Sequence, residues 1–320
     1  MNLRKSTICA VCLAMTISCG GGGEEAFEPL PFPSVSIPSM YETGSPEALE
    51  YYAVHFWDDL TDTSRHYPCD SSLVSGVKRS AVEAEFANYA LLVSRLGTQT
   101  ASEAAVRTFR RISACEKTDT SSNVFETIVE FYGKYLYDPS SPMRDEDAYL
   151  PFVHLLASSD LFDSAARMAY RYDEGVCSLN RKGTPAADFS FVDNRGREFT
   201  LYGIKAEYTL LFFSNPGCTA CKEIIDALSS SPEVSQMIAA KELAVANVYI
   251  DEELDEWMAY MPIYPKEWYN GYDPEGIIRD NSLYAVRAIP SLYLLDRDKK
   301  VLLKDAEPQI VFQYIDSLMK

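Results

Sequence analysis

Two cysteines three residues apart, Cys218 and Cys221, are the residues of this chain best placed to do chemistry. They follow an apolar run over 209–213 with the length and composition of a buried strand. Asn215-Pro216-Gly217 breaks that run with a turn signal, and beyond the cysteines Ile224, Ile225 and Leu228 recur at helical spacing. The pair is therefore expected where a strand turns into the first turn of a helix. Residues i and i+3 of a helix lie about 5–6 Å apart, and a disulfide wants Cα atoms roughly 5.5–6 Å apart. The bond can open and close with little backbone movement. Unpaired N–H groups and the positive end of the helix dipole stabilise a thiolate on the first cysteine. This is the chemistry of a redox dithiol, with the Cys218–Cys221 disulfide as its own redox centre and no separate cofactor.

A C-x-x-C also occurs as half of a zinc site, but structural zinc needs two more ligands, commonly a second pair. The three histidines, His55, His66 and His154, all lie far upstream, and the other cysteines near this region are isolated. No metal is expected.

The elements that must hold the pair begin near Pro185. Residues 188–192 and 197–201 flank Asp193-Asn194-Arg195-Gly196 and read as a β-hairpin. The strand at 209–213 and the cysteine helix follow, then a helix opened by Pro232. A strand at 244–250 ends at Asp251-Glu252-Glu253, and 251–276 is a long irregular segment. A short helix is expected near 277–285. Ile289-Pro290 then leads into a strand at 291–295, a turn, a strand at 301–303 and a last helix at 309–319.

From about 185 to 320 this order resembles the thioredoxin-fold domain of the TlpA/ResA-like exported thiol-disulfide oxidoreductases. The hairpin, the dithiol after the first central strand and the Ile289-Pro290 before an apolar strand carry the resemblance. It implies a cis-proline at Pro290 lying against the dithiol, with Ile289 offering backbone groups to a substrate chain. Three positions depart from the pattern. Gly217 stands where a tryptophan usually precedes the first cysteine, Phe212 where thioredoxins bury a carboxylate, and Ile224 where a glutamate is common. Glu223, beside Ile224, is the candidate modulator of Cys221.

The half upstream is helical in pattern from about 46 to 172. Leu49, Tyr52, Ala53, Phe56, Trp57 and Leu60 form one apolar face, and Val82, Phe86, Tyr89, Ala90 and Val93 another. Helices are expected at 77–96, 101–114, 123–137, 145–158 and 163–172. Its histidines match no metal spacing, and its aromatic stripes read as core. The fold class is α+β/α: an all-helical N-terminal domain followed by a thioredoxin-fold α/β domain, the first a scaffold or partner-binding unit.

At the start, Arg4 and Lys5 precede an apolar stretch at 7–17 too short for a membrane span, which reads as a signal peptide. Thr16-Ile17-Ser18-Cys19-Gly20 resembles a bacterial lipoprotein cleavage site, with threonine where leucine is usual. The resemblance implies acylation of Cys19. The divisions are then a signal peptide at 1–18, a flexible lipid-anchored tether at 19–45, a helical domain at 46–176 and a thioredoxin-like domain at 177–320. Removing Arg4 and Lys5 takes the formal charge from −18 to −20. Such a surface repels nucleic acid and anionic bilayers alike, so a lipid must do any anchoring. Cys69, Cys115 and Cys177 remain as an odd number in an oxidising setting. Either two of them pair, Cys69 with Cys115 for instance, or all three are buried small hydrophobes.

The expectation is a membrane-tethered reductase of protein disulfides in the periplasm or on the cell surface, fed electrons by a membrane thiol reductase. Two other classes stand beside it. A peroxiredoxin-like peroxidase would want threonine and proline where Asn215 and Leu211 stand. The other is a non-catalytic envelope-binding lipoprotein whose redox domain is vestigial. Trp268 and Tyr272 in the 251–276 segment are candidate partner-binding residues, because aromatics are favoured where proteins meet. Asp251 should add negative potential near the thiols.

Overall fold

Aromatic side chains build the first half of the molecule. The computed structural model describes residues 27–68 and 70–319, so Cys19, the signal peptide and Cys69 lie outside the described residues. Helices α1 (Pro46–His55), α2 (Arg79–Arg95), α3 (Thr98–Thr118), α4 (Val124–Tyr132), α5 (Glu146–Ser158) and α6 (Ser164–Cys177) surround one core. Trp57, Phe86, Tyr89, Phe131, Tyr132 and Phe152 lie at its centre, and the rings of Tyr132 and Phe152 stack at 3.7 Å. Helix starts follow the sequence rules. Ser45, Asp145 and Asp163 each accept a backbone N–H at the first turn of α1, α5 and α6. A π-helical turn, Gly133–Tyr137, extends α4.

The structure corrects two expectations here. The half is not all helix: β1 (Leu73–Val74) and β2 (Val77–Lys78) pair as a short antiparallel hairpin. Ser75 and Gly76 turn it with φ of 47° and 74°, the left-handed pair that a tight hairpin demands. Residues 27–45 are not a free tether throughout. Leu30 bridges to Val77, and Phe32 packs its ring 5.5 Å from Phe56 and 5.9 Å from Trp57. A proline-rich segment that can bury an aromatic ring gains more by docking than by staying in water.

The second half is a seven-stranded mixed sheet in the order β4-β3-β7-β6-β5-β8-β9. Its strands are β3 (Ser190–Val192), β4 (Glu198–Thr200), β5 (Tyr208–Phe213), β6 (Leu243–Tyr249), β7 (Tyr269–Tyr272), β8 (Ser291–Leu295) and β9 (Val301–Leu303). β5, β6 and β7 run parallel, and β8 lies antiparallel to β5. Alternation along β5 sends Leu210 and Phe212 to one face and Leu211 and Phe213 to the other. Helices α7 (Thr219–Ser230), α8 (Pro232–Ala239), α9 (Leu254–Tyr260) and α11 (Pro308–Leu318) cover the first face, while α10 (Ile277–Asp280) lies on the second. The segment read as irregular therefore holds α9 and β7. Gly271 belongs in β7 because an added Cβ would sit 2.4 Å from the Phe191 ring and 2.9 Å from the Val192 carbonyl.

The two halves meet through charge. Glu146 pairs with Lys304 at 2.7 Å and with Arg287 at 2.5 Å, and Asp145 pairs with Lys182 at 2.7 Å. Arg144 bonds Asp305 at 3.1 Å and also reaches Glu307. Exposed pairs contribute at most about 1 kcal/mol. Glu146 and Lys304 are only 4% and 2% exposed, so losing Glu146 leaves the buried Lys304 charge uncompensated, at a cost of roughly 3–5 kcal/mol.

Candidate active site

The dithiol stands where the sequence pattern puts it. β5 ends at Phe213, and Ser214 to Gly217 turn the chain into α7, whose N-cap is Cys218. Gly217 has φ of +71°, and a Cβ there would meet nothing within 4 Å. Conformation, not space, selects glycine at that position. Cys218 and Cys221 form a disulfide with Cα atoms 5.2 Å apart. The Cys221 N–H donates to Cys218 Sγ at 3.1 Å, so the sulfur itself caps the helix. Cys218 is half-buried and Cys221 buried, which leaves Cys218 as the sulfur a partner can reach.

Ile289-Pro290 is a cis peptide. Phe213 pairs with Ser291 across the β5–β8 ladder, which sets Pro290 at the same end of the sheet as the dithiol turn. Cys218 and Ile289 both pack against the core under α7. A cleft of about 410 Å³ opens beside Ile289, walled by Asp251 on one side and by Tyr172 and Val176 of α6 on another. The helical half thus reaches the surroundings of the site.

Other candidates are placed differently. Glu223 is exposed on α7, two positions beyond buried Cys221. Residues i and i+2 do not share a helix face, so the structure does not bring it to that thiol. Asp251 is close to the turn: its carboxylate accepts from Asn215 Nδ2 at 2.5 Å. Glu252 is drawn off to Arg279 at 2.9 Å. Trp268, expected on a partner-facing surface, is 6% exposed and packed in the core, and Tyr272 is half-buried with its ring 5.1 Å from Trp257. These rings serve the sheet. His55 is held by Asp58 at 2.8 Å and His154 by Glu174 at 2.6 Å. Exposed His66 borders a cavity of about 220 Å³ in the helical half, away from the dithiol. Among the described residues no three metal-ligating side chains cluster.

Sequence reasoning missed a polar network beneath the site. Ser214 Oγ donates to Asn247 Oδ1 at 2.5 Å, Asn247 Nδ2 to Asn270 Oδ1 at 3.1 Å, and Asn270 Nδ2 to the Pro265 carbonyl at 2.7 Å. Asn247 lies beside Phe212 in the parallel ladder. Its alternation with Val245 and Tyr249 points it to the face that α7 covers. A neutral amide on the neighbouring strand therefore stands level with the residue that replaces the usual carboxylate. The signal was available: Asn247 is the one polar residue in the run 243–248.

The family description that matches residues 5–180, more than half of the chain, is "Domain of unknown function (DUF5106)". The chain belongs to that family. A crystal structure of a thioredoxin-like protein from Bacteroides caccae is 35% identical over 89% of this chain and 98% of its own, with a TM-score of 0.75. The C-terminal domain of an uncharacterized protein from Bacteroides fragilis is 52% identical and covers 43% of this chain and 98% of its own, with a TM-score of 0.41. The thioredoxin domain of a thiol-disulfide oxidoreductase from Bacteroides vulgatus is 20% identical over 43% of this chain and 98% of its own, with a TM-score of 0.38. No curated protein matches the chain. This DUF5106 member joins a helical domain to a thioredoxin-like fold.

Proposed function

We propose that this protein is a membrane-tethered reductase of protein disulfides in the cell envelope. The observation that carries the reading is the half-buried Cys218 capping the N-terminus of α7, bonded to buried Cys221. When the pair is reduced, unpaired N–H groups and the dipole of α7 favour the Cys218 thiolate. That thiolate attacks one sulfur of a substrate disulfide; a mixed disulfide forms, and the other substrate sulfur leaves and takes up a proton. Cys221 then loses its proton and attacks Cys218 Sγ, which frees the second substrate thiol. Two electrons and two protons have passed to the substrate, and the Cys218–Cys221 bond is restored. Ile289 and Pro290 line the place where the substrate chain would lie. A membrane thiol reductase returns the two electrons. The tether would be a lipid on Cys19; no helix among the described residues is long and apolar enough to cross a membrane.

The test is the Cys221→Ser variant, which cannot resolve the mixed disulfide. It should hold envelope proteins on Cys218 in complexes that a reductant releases, and an empty trap in oxidised cells would sink the reading. Direction is read from the potential of the pair: a value near the roughly −270 mV of thioredoxin supports a reductase, whereas one near the roughly −120 mV of strong oxidants refutes it. Labelled fatty acid should enter the wild type and not Cys19→Ala.

A further inference from the structure

Three helix ends of the helical half converge on two basic residues of the thioredoxin-like half. The π-helical turn after α4 ends at Tyr137, and its free carbonyl accepts from Arg287 Nη1 at 2.6 Å. The first turn of α5 supplies Glu146, which Arg287 Nη2 meets at 2.5 Å and Lys304 Nζ at 2.7 Å. α6 ends at Cys177, whose carbonyl accepts from Lys304 Nζ at 2.8 Å. Cations at helix C-termini and an anion at an N-terminus each suit the dipole they face. The Arg287 guanidinium also lies 4.1 Å over the Tyr137 ring. These contacts use both nitrogens of its fork and one face of its plane, a set that lysine cannot reproduce.

Arg287 stands two residues before Ile289, in the segment that leads to Pro290 and β8. A second tie holds the far side of the same segment. Ser291 Oγ donates to Asp305 Oδ1 at 2.6 Å, and Asp305 is gripped from the helical half by Arg144 at 3.1 Å. Ile289 and Pro290 are thus bracketed by Arg287, anchored directly in the helical half, and by Ser291, tied to it through Asp305, while Ala288 is exposed and Ile289 and Pro290 are half-buried. Nothing in the redox chemistry of the dithiol calls for this arrangement.

We propose that Arg287, held by Glu146 and Tyr137, is a positioning residue that fixes the Ile289–Pro290 segment from behind, so that the helical half sets how firmly a polypeptide is gripped beside Cys218. This role rests on the reading of the dithiol given above. Arg287 touches neither sulfur nor substrate; it acts through the segment. It is expected to move affinity for a chain, not the reactivity of the thiols. A small disulfide, which needs no backbone grip, should not feel its loss.

The test is Arg287→Met in the full chain. Glu146 keeps Lys304 as its partner, so the variant leaves no lone buried charge. Backbone hydrogen exchange over 286–291 should rise about tenfold with exchange in α7 unchanged. KM for insulin disulfides should rise about tenfold, the loss expected when side chains and a loop must be ordered on binding, with kcat within twofold. The potential of the pair and the rate with oxidised glutathione should stay as in the wild type. Arg287→Lys should fall between the two. Unchanged exchange and KM in a folded variant would overturn the proposal, as would a fall in the glutathione rate equal to that with insulin. If the methionine variant does not fold, Ser291→Ala is expected to change exchange and KM in the same direction by less, and no change there overturns it. A wild type inert toward insulin defeats the dithiol reading instead; exchange then decides whether Arg287 fixes the segment.

Discussion

Among the described residues, three helices carry a cysteine at one end, and the two halves of the molecule use opposite ends. In the helical half Cys115 lies in the last turn of α3 and Cys177 is the last residue of α6. In the thioredoxin-like half Cys218 caps the start of α7. A helix C-terminus is the negative end of the dipole and opposes a thiolate; an N-terminus supports one. Burial pushes the Cys115 and Cys177 thiols up, with Glu146 adding to the effect at Cys177 and Arg111 working against it at Cys115. Both are buried free thiols, and Cys115 donates weakly to the Thr61 carbonyl at 3.6 Å. With Cys115 free, the expected bridge to Cys69, a residue outside the described ones, is not made at Cys115. Residue type alone therefore says little about reactivity; the helix end and the burial decide it.

The sharpest way to break that contrast is turnover. Cys218→Ser should reduce insulin disulfides no faster than the dithiol donor alone, because the attacking sulfur is gone. Cys115→Ala and Cys177→Ala should keep wild-type turnover once folded. Undiminished activity in the Cys218 variant, or its loss in either of the others, would mean that the helical half shares in the chemistry.

Alkylation measures the same contrast without a substrate. In the reduced, folded protein at neutral pH, iodoacetamide should modify Cys218 on the order of a hundred times faster than Cys115 or Cys177, since only thiolate character and exposure admit the reagent. Mass mapping of the labelled peptides reads this directly. Comparable rates at all three would remove the argument from helix ends.

What the sequence made legible divides along a physical line. Cys218 and Cys221 are readable because they rest on local pattern, a turn, a helical period and an apolar run, whereas the cis-proline at Pro290 came only with the family resemblance. β7 was not readable. Tyr269-Asn270-Gly271-Tyr272 carries two residue types that strands disfavour, and Gly271 is needed only because β3 comes so close. Trp268 looked like a surface aromatic because nothing in its neighbours says that the sheet lies beneath it. The ionic seam was equally hidden. Arg144-Asp145-Glu146-Asp147 reads as a solvated helix start, and its partners Arg287 and Lys304 lie 141 or more positions away for Glu146 alone. Long-range charge pairing leaves no period in a sequence.

Charge in the helical half should have the smallest effect, because its ionic groups hold structure and not chemistry. Asp58 follows α1 and accepts from Arg107 Nε at 2.8 Å and Nη2 at 2.6 Å, with His55 at 2.8 Å and Arg111 at 3.3 Å. Burial alone would raise its carboxyl, but the hydrogen bonds from Arg107 and His55 and the charges of Arg111 and Arg107 outweigh it and hold the group below the ordinary aspartate range. A folded-state value lowered in this way contributes stability above the unfolded value near 3.9, which is lost as pH falls through the folded value. Asp58→Asn should therefore cost about 1 kcal/mol at pH 7, a modest figure because the group is partly exposed and screened. The deficit should shrink in acid, as the pH falls below the ordinary aspartate range and the wild-type carboxyl also loses its charge. Urea midpoints of the two proteins at the two pH values give the answer, and insulin turnover at pH 7 should not differ between them. A deficit that stays constant into acid would show that packing, and not the ion pairs, is what Asp58 supplies.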